Sequence, residues 1–190
     1  MKKISELLET AAALTCPVVR GIDDARLDAP TPCAEYDVRA LLNHLFLVVT
    51  NFRALAAREE ADFSTTPDVV TGDWRGRFEK ETASLVAAWD ASGAEDGVAG
   101  RMNLPARTVG LMVLGDLVVH GWDLARATGR SFDAGPALVE VLEPGLAGMA
   151  PQARSMNVFG EPFPLPAGAP AFDRVLALTG RDPGWSPAGA

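Results

Sequence analysis

The sequence predicts an all-α fold, a bundle of four principal helices with a short C-terminal extension. Three observations carry that prediction. Long stretches place apolar residues three and four apart, the period of a helix with one buried face. Proline and glycine clusters fall largely between those stretches. Little of the chain alternates apolar with polar residues as a half-buried strand does, and no fixed-period repeat is visible.

The first helix is expected over residues 4 to 21, where Ile4, Leu7, Leu8, Ala11, Leu14 and Val18 form one stripe and Pro17 bends or shortens the end. The stretch Asp28-Ala-Pro-Thr-Pro-Cys-Ala-Glu-Tyr-Asp is held extended by its prolines, and Asp37 is placed to cap the next helix. That second helix is predicted over about 38 to 58, with Leu41, His44, Leu45, Val48, Phe52 and Leu55 facing inward. Residues 59 to 72 read as a loop. A third helix follows over about 73 to 91, with Trp74, Phe78, Leu85 and Trp89 inward, and the glycines and Pro105 between Ser92 and Arg107 predict a loop or a brief extended piece.

The fourth helix, about 107 to 128, carries Val109, Met112, Val113, Asp116, His120, Asp123, Leu124 and Ala127 on one side and stops at Gly129. A fifth segment, about 136 to 149, opens at Pro136 and is expected to break at Pro144-Gly145. From about 151 the chain reads as a proline-rich tail, extended through Phe159-Gly-Glu-Pro-Phe-Pro-Leu-Pro and ending in a short helix over Ala171 to Leu178.

The 190 residues are expected to form one domain, residues 1–190, with the bundle in about the first 150. The net charge of −8, with 17 basic residues scattered among 25 acids, argues against a nucleic-acid or anionic-membrane partner. Cys16 and Cys33 make neither a disulfide framework nor a CxxC pair, so they read as free thiols of a reduced chain. Glu6 and Glu9 interrupt any signal-like apolar run, and no stretch is long and apolar enough to be read as a membrane span. The expectation is a cytoplasmic protein.

The chain has two histidines, and both occupy helical core faces. His44 replaces an aliphatic residue in its stripe. Asp116 and His120 are spaced i, i+4, so both leave the same side of their helix. Taken singly, His44 reads as a buried neutral imidazole and the Asp116–His120 couple as an ordinary helical pair. Taken together, three polar groups would each cost on the order of several kcal/mol to bury unpaired, and one cation satisfies all of them. Two imidazoles and a carboxylate with an open side suit Zn²⁺, Ni²⁺ or Fe²⁺. Asp123, three residues beyond His120, has three readings: an acceptor that orients the imidazole, a general base and hence the one candidate catalytic group, or a capping or salt-bridge partner of Arg126. The last is preferred. Cys33, eleven residues before His44 or about 16 Å along a helix axis, is read as structural, and Trp89 and Trp122 as core packing.

The segments Thr31-Pro-Cys-Ala-Glu-Tyr-Asp-Val-Arg-Ala-Leu-Leu-Asn-His-Leu and Asp116-Leu-Val-Val-His-Gly-Trp-Asp-Leu-Ala-Arg-Ala-Thr-Gly, with Phe159-Gly-Glu-Pro and Leu178-Thr-Gly-Arg-Asp-Pro-Gly-Trp, resemble the DinB/YfiT-like metal-binding superfamily. Within it the chain is most similar to proteins like the metal-binding domain of mycothiol-dependent maleylpyruvate isomerase. The resemblance implies an up-down-down-up four-helix bundle holding a divalent metal, commonly zinc, on His44, Asp116 and His120. It also implies a mycothiol-like thiol cosubstrate and a small-molecule substrate. Two positions depart from the pattern: Asp116 stands where the isomerase has glutamate, and Tyr36 where tryptophan is usual. The isomerase has a second, C-terminal domain that this chain is too short to contain. The expected function is metal-dependent activation of a thiol for transfer to, or isomerisation of, a small molecule. The alternatives are a metal-dependent hydrolase, a non-catalytic metal- or ligand-binding bundle, or a metal-free polar network. Homodimerisation through a helix face is compatible with such a bundle, although no sequence feature specifies it.

Overall fold

A computed structural model describes residues 2–101 and 103–187 of the chain. The helices are α1 (Ile4–Arg20), α2 (Val38–Ala56), α3 (Trp74–Asp90), α4 (Ala106–Ala127), α5 (Gly135–Ser155) and α6 (Ala171–Leu178). The expected all-α bundle is the fold observed. The expectations that touch Met1, Met102 and residues 188–190 lie outside the described residues.

Local chemistry marks the helix ends where polar residues can satisfy orphan backbone groups. The Asp37 carboxylate accepts from the Ala40 amide at 2.7 Å and starts α2; Asp73 accepts from Gly76 at 3.1 Å and starts α3. The first turn of α1 is held from outside, its Ile4 amide donating to Glu95 at 2.8 Å. Gly129, at φ +74°, turns the chain after α4 in the left-handed region that glycine adopts without strain.

Helices α1 and α2 each pack on both α3 and α4, so the two members of each pair sit on opposite corners of the bundle. Helix α5 lies on the outer side of α4, and α6 lies on α5. With neighbours on three sides, α4 is buried almost all round. Among the described residues it is the one helix long and apolar enough to cross a membrane, yet 78% of its apolar stretch is inside the bundle. Its apolarity is consumed by the core.

Close approach of α4 to its neighbours depends on glycine. A Cβ on Gly121 would meet Thr15 Oγ1 at 2.5 Å and the Phe132 ring at 2.9 Å. Thr15 has little room to yield, because its hydroxyl donates to the Leu117 carbonyl at 2.9 Å. Gly121→Ala should therefore cost about 1–3 kcal/mol through overpacking, despite alanine's better helix propensity. Thermal denaturation would show this as a Tm several degrees lower; an unchanged Tm would mean that the α1–α4 contact is slack.

Two features differ from the sequence-based expectation. Helix α5 does not break at Pro144-Gly145: it runs through Pro144 and Pro151 to Ser155. The apolar stripe continues across the proline as Leu138, Val139, Leu142, Leu146 and Ala150, all buried, while Pro144 and Glu140 are exposed. The carbonyl freed by the missing proline N–H thus lies on the solvent side, and packing offsets a penalty of about 3 kcal/mol. Between α3 and α4, the expected loop contains a minimal antiparallel pair, β1 (Val98–Ala99) with β2 (Leu104–Pro105).

The segment after α5 is anchored to the bundle. Arg154 donates to the carbonyls of Gly160 at 3.1 Å and Leu178 at 2.6 Å, and the Phe163 amide donates to Ala177 at 2.9 Å. Val175 and Leu176 of α6 join the main apolar core. At Gly180, φ is +89° and a Cβ would sit 2.8 Å from the Gly160 Cα, so two backbones touch there. This contact sets the path of the next residue, Arg181.

Candidate metal centre

His44 projects from α2 and Asp116 and His120 from α4, at the seam where those two helices pack. One donor atom from each of the three lies within 4.8 Å of the others. The His44 and His120 rings meet edge to face with centroids 5.0 Å apart, and the Tyr36 ring stacks on His44 at 5.4 Å. Exposure is graded through the cluster. The Asp116 side chain is 29% exposed and that of His120 10%, while Asp123 is wholly enclosed. The open side of the cluster is therefore the side lined by its two partly exposed members, His44 and Asp116.

Asp123 departs from its preferred reading. Instead of pairing with Arg126, it accepts a hydrogen bond from His120 Nδ1 at 3.0 Å and an ion pair from Arg181 at 3.1 Å, both on Oδ2. Arg126 extends over the Trp122 ring and donates to the Trp185 carbonyl at 3.0 Å. The reason is helical: position i+3 from His120 turns inward with it, toward a buried arginine that sequence reasoning had not connected to the site. A wholly buried carboxylate beside an imidazole is in itself a signal that a cation is needed nearby.

Cys33 departs too. Residues before α2 are not helical, so a distance reckoned along a helix axis does not apply. The chain folds back through the Pro30–Asp37 bridge, and the Thr31 hydroxyl fixes the turn by donating to the carbonyls of Cys33 at 3.0 Å and Tyr36 at 2.8 Å. A donor atom of Cys33 thereby comes within 4.8 Å of donors on His120 and Asp123. That second group does not suit a cation, because the Arg181 guanidinium already occupies its acidic partner and lies 3.4 Å from His120 Nδ1. Trp89 and Trp122 are buried in the core as expected, 1% and 5% exposed.

The donor chemistry at His44, Asp116 and His120 fits a cation. With its Nδ1 proton given to Asp123, His120 carries its lone pair on Nε2. That nitrogen faces Asp116 Oδ1 at 3.6 Å, beyond hydrogen-bond length. Two electron-rich atoms thus confront each other at a separation close to the ~3.4 Å expected of two ligands on one tetrahedral ion with bonds of ~2.1 Å. Without an ion, the charged forms of His44 and Asp116 are disfavoured. Burial, then His120 and Arg181, push His44 down to about 3. Burial raises the Asp116 carboxyl, against the pull of His120 and Arg181. A bound dication would reverse the tendency at Asp116, whose carboxylate it stabilises, and reinforce the one at His44, whose neutral imidazole is the ligating form.

The depressed His44 value has a measurable consequence for metal-free protein. The unfolded chain takes up a proton at His44 near pH 6.5, and the folded chain does so only near 3. Across that window the unfolded state binds more protons, so stability falls as pH falls, by at most about 1.4 kcal/mol per pH unit for this group. Asp116 works in the opposite sense, because a raised carboxyl favours the folded state on acidification. In chelator, the Tm of the parent should therefore drop more steeply between pH 6.5 and 4.5 than that of His44→Gln. Parallel curves would show that His44 is not held neutral.

Comparison with known proteins adds a lineage to this geometry. A family model described as the mycothiol maleylpyruvate isomerase N-terminal domain matches residues 8–125. That span includes His44, Asp116, His120 and Asp123 and ends before Arg181. Two curated proteins from two strains of Mycobacterium tuberculosis, each described as an uncharacterized protein, are 30% identical to the chain over 167 residues, covering 82% of it and 85% of their own length. No solved structure matches.

Proposed function

The chain belongs to the family of the mycothiol maleylpyruvate isomerase N-terminal domain, and from that premise we propose that it is a divalent-metal enzyme that activates a low-molecular-weight thiol. The observation that carries the reading is the convergence of His44, Asp116 and His120 on one point, with the His120 and Asp116 lone pairs opposed. Zinc is the favoured ion for two nitrogens and one oxygen, with nickel or iron as the alternatives. When bound, the ion supplies the Lewis acidity that holds a thiol as its thiolate at neutral pH.

The protein's own groups do the rest. Asp123 holds the proton on His120 Nδ1 and so keeps Nε2 free to ligate. Asp116 borders the open side, where thiol and small electrophile approach. Tyr36 covers His44 and narrows that approach. The thiol is taken to be mycothiol-like because the family description names mycothiol, and a cytoplasmic setting follows from the need to keep such a cosubstrate reduced.

Elemental analysis of untagged protein should give one equivalent of metal, and transfer of thiol to a small electrophile should require it. Equal turnover by parent and His120→Ala would end the proposal. Screening activated esters alongside thiols tests the related hydrolytic use of the same site. A non-catalytic role is the second reading, favoured by the fact that the three donors tie α2 to α4. It predicts a large fall in Tm on chelation with no turnover on either class of substrate.

A further inference from the structure

Arg181 lies outside the matched span, 58 residues beyond its partner Asp123, and three observations connect it to the candidate metal centre. First, its side chain is only 9% exposed, with Nη2 on Asp123 at 3.1 Å and Nη1 on the Thr179 carbonyl at 3.0 Å. Second, Asp123 Oδ2 is shared between Arg181 and His120 Nδ1, so the position of the guanidinium fixes the acceptor that fixes the imidazole. Among the described residues, Asp123 Oδ1 and Arg181 Nε have no hydrogen-bond partner, so this one shared oxygen carries the link. Third, the backbone delivering Arg181 is itself fixed. The Gly180 contact with Gly160, the Arg181 amide on Leu176 at 3.0 Å and the Arg154 clamp on Leu178 leave it one path into the bundle.

We propose that Arg181 is a positioning residue for the ligand His120, acting through Asp123, so that metal occupancy and docking of the segment 178–187 reinforce each other. Resting on the metal-centre reading above, this adds a part of the chain that the family match does not include. A docked Arg181 neutralises Asp123 and holds its carboxylate where it accepts from Nδ1, which leaves Nε2 aimed at Asp116. An undocked Arg181 leaves a buried carboxylate free to turn, and the imidazole turns with it. Because coupling between two equilibria is reciprocal, whatever affinity docking adds for metal, metal returns to docking.

Two measurements test this, neither using catalysis. Competition against a chromogenic chelator reads zinc affinity in the parent, Arg181→Gln, Arg181→Lys and Arg174→Gln. Arg174, which binds Glu143 at 2.6 and 2.8 Å on the α5–α6 surface, controls for loosening α6 without touching the site. Loss of an outer partner typically weakens metal binding 10- to 100-fold. That loss is expected for Arg181→Gln, with substantial recovery in Arg181→Lys and parental affinity in Arg174→Gln. Amide exchange of the parent with and without zinc covers the case in which Arg181→Gln does not fold: zinc should slow exchange in 178–187 more than in the β1–β2 turn. Parental affinity in a folded Arg181→Gln, or zinc protection no greater in 178–187 than in that turn, overturns the inference alone. A parent that binds no zinc removes the metal-centre reading and this inference with it.

Discussion

Asp123→Ala is expected to destabilise the metal-free protein by about 3–5 kcal/mol, the usual effect of deleting one partner of a buried ion pair. Two groups lose their acceptor at once. The Arg181 side chain, 9% exposed, is left as a charge with no counter-ion, and the His120 Nδ1 proton has nothing to receive it. Asp123→Asn should fall between parent and alanine, because its amide oxygen still accepts from His120 while the charge on Arg181 stays uncompensated. Urea denaturation in chelator separates the three: the order of midpoints should be parent, asparagine, alanine. A midpoint for Asp123→Ala within 1 kcal/mol (roughly the scale of an exposed pair) of the parent would mean that the network contributes no more than a surface ion pair.

His120→Ala should carry the largest effect on binding. Structural zinc sites with four ligands have apparent binding energies of about 10–16 kcal/mol, or on the order of 3–4 kcal/mol per ligand if shared evenly. Loss of His120 should then weaken metal affinity by ~10²–10³-fold and remove any metal-dependent turnover, while circular dichroism stays helical. Asp123 keeps its pairing with Arg181 in this variant, which separates loss of a ligand from collapse of the network. Unaltered metal content in His120→Ala would place the ion elsewhere.

The helices were legible because the core is built from regular stripes, and a stripe of Leu41, Leu45, Val48 and Phe52 has few other ways to be satisfied. The three donors could be brought together on paper for the same reason: Asp116 and His120 share a face by spacing alone, and His44 interrupts an otherwise apolar stripe. What spacing could not supply was anything set by non-helical backbone or by partners far along the chain. Cys33 reaches the His120–Asp123 edge because a bridge and a threonine hydroxyl reverse the chain before α2, and no periodicity reports such a reversal. Arg181 was hidden by distance. Its signal lay in Asp123, an acid on a core face beside a histidine, where the nearby Arg126 offered a local partner that the structure does not use. The continuation of α5 through Pro144 was lost to a local rule, since proline's penalty is weighed against packing that only the assembled α4 and α6 provide.

The ion pair between Asp123 and Arg181 also has a history within each molecule. At ~5–20 residues translated per second, the 58 residues that separate them correspond to about 3–12 s of synthesis. Throughout that interval a nascent chain holds both histidines and both acids of the cluster while the guanidinium has yet to emerge. Until Arg181 arrives, the Asp123 carboxylate has no guanidinium to neutralise it, so this buried pair is among the last contacts a growing chain can close.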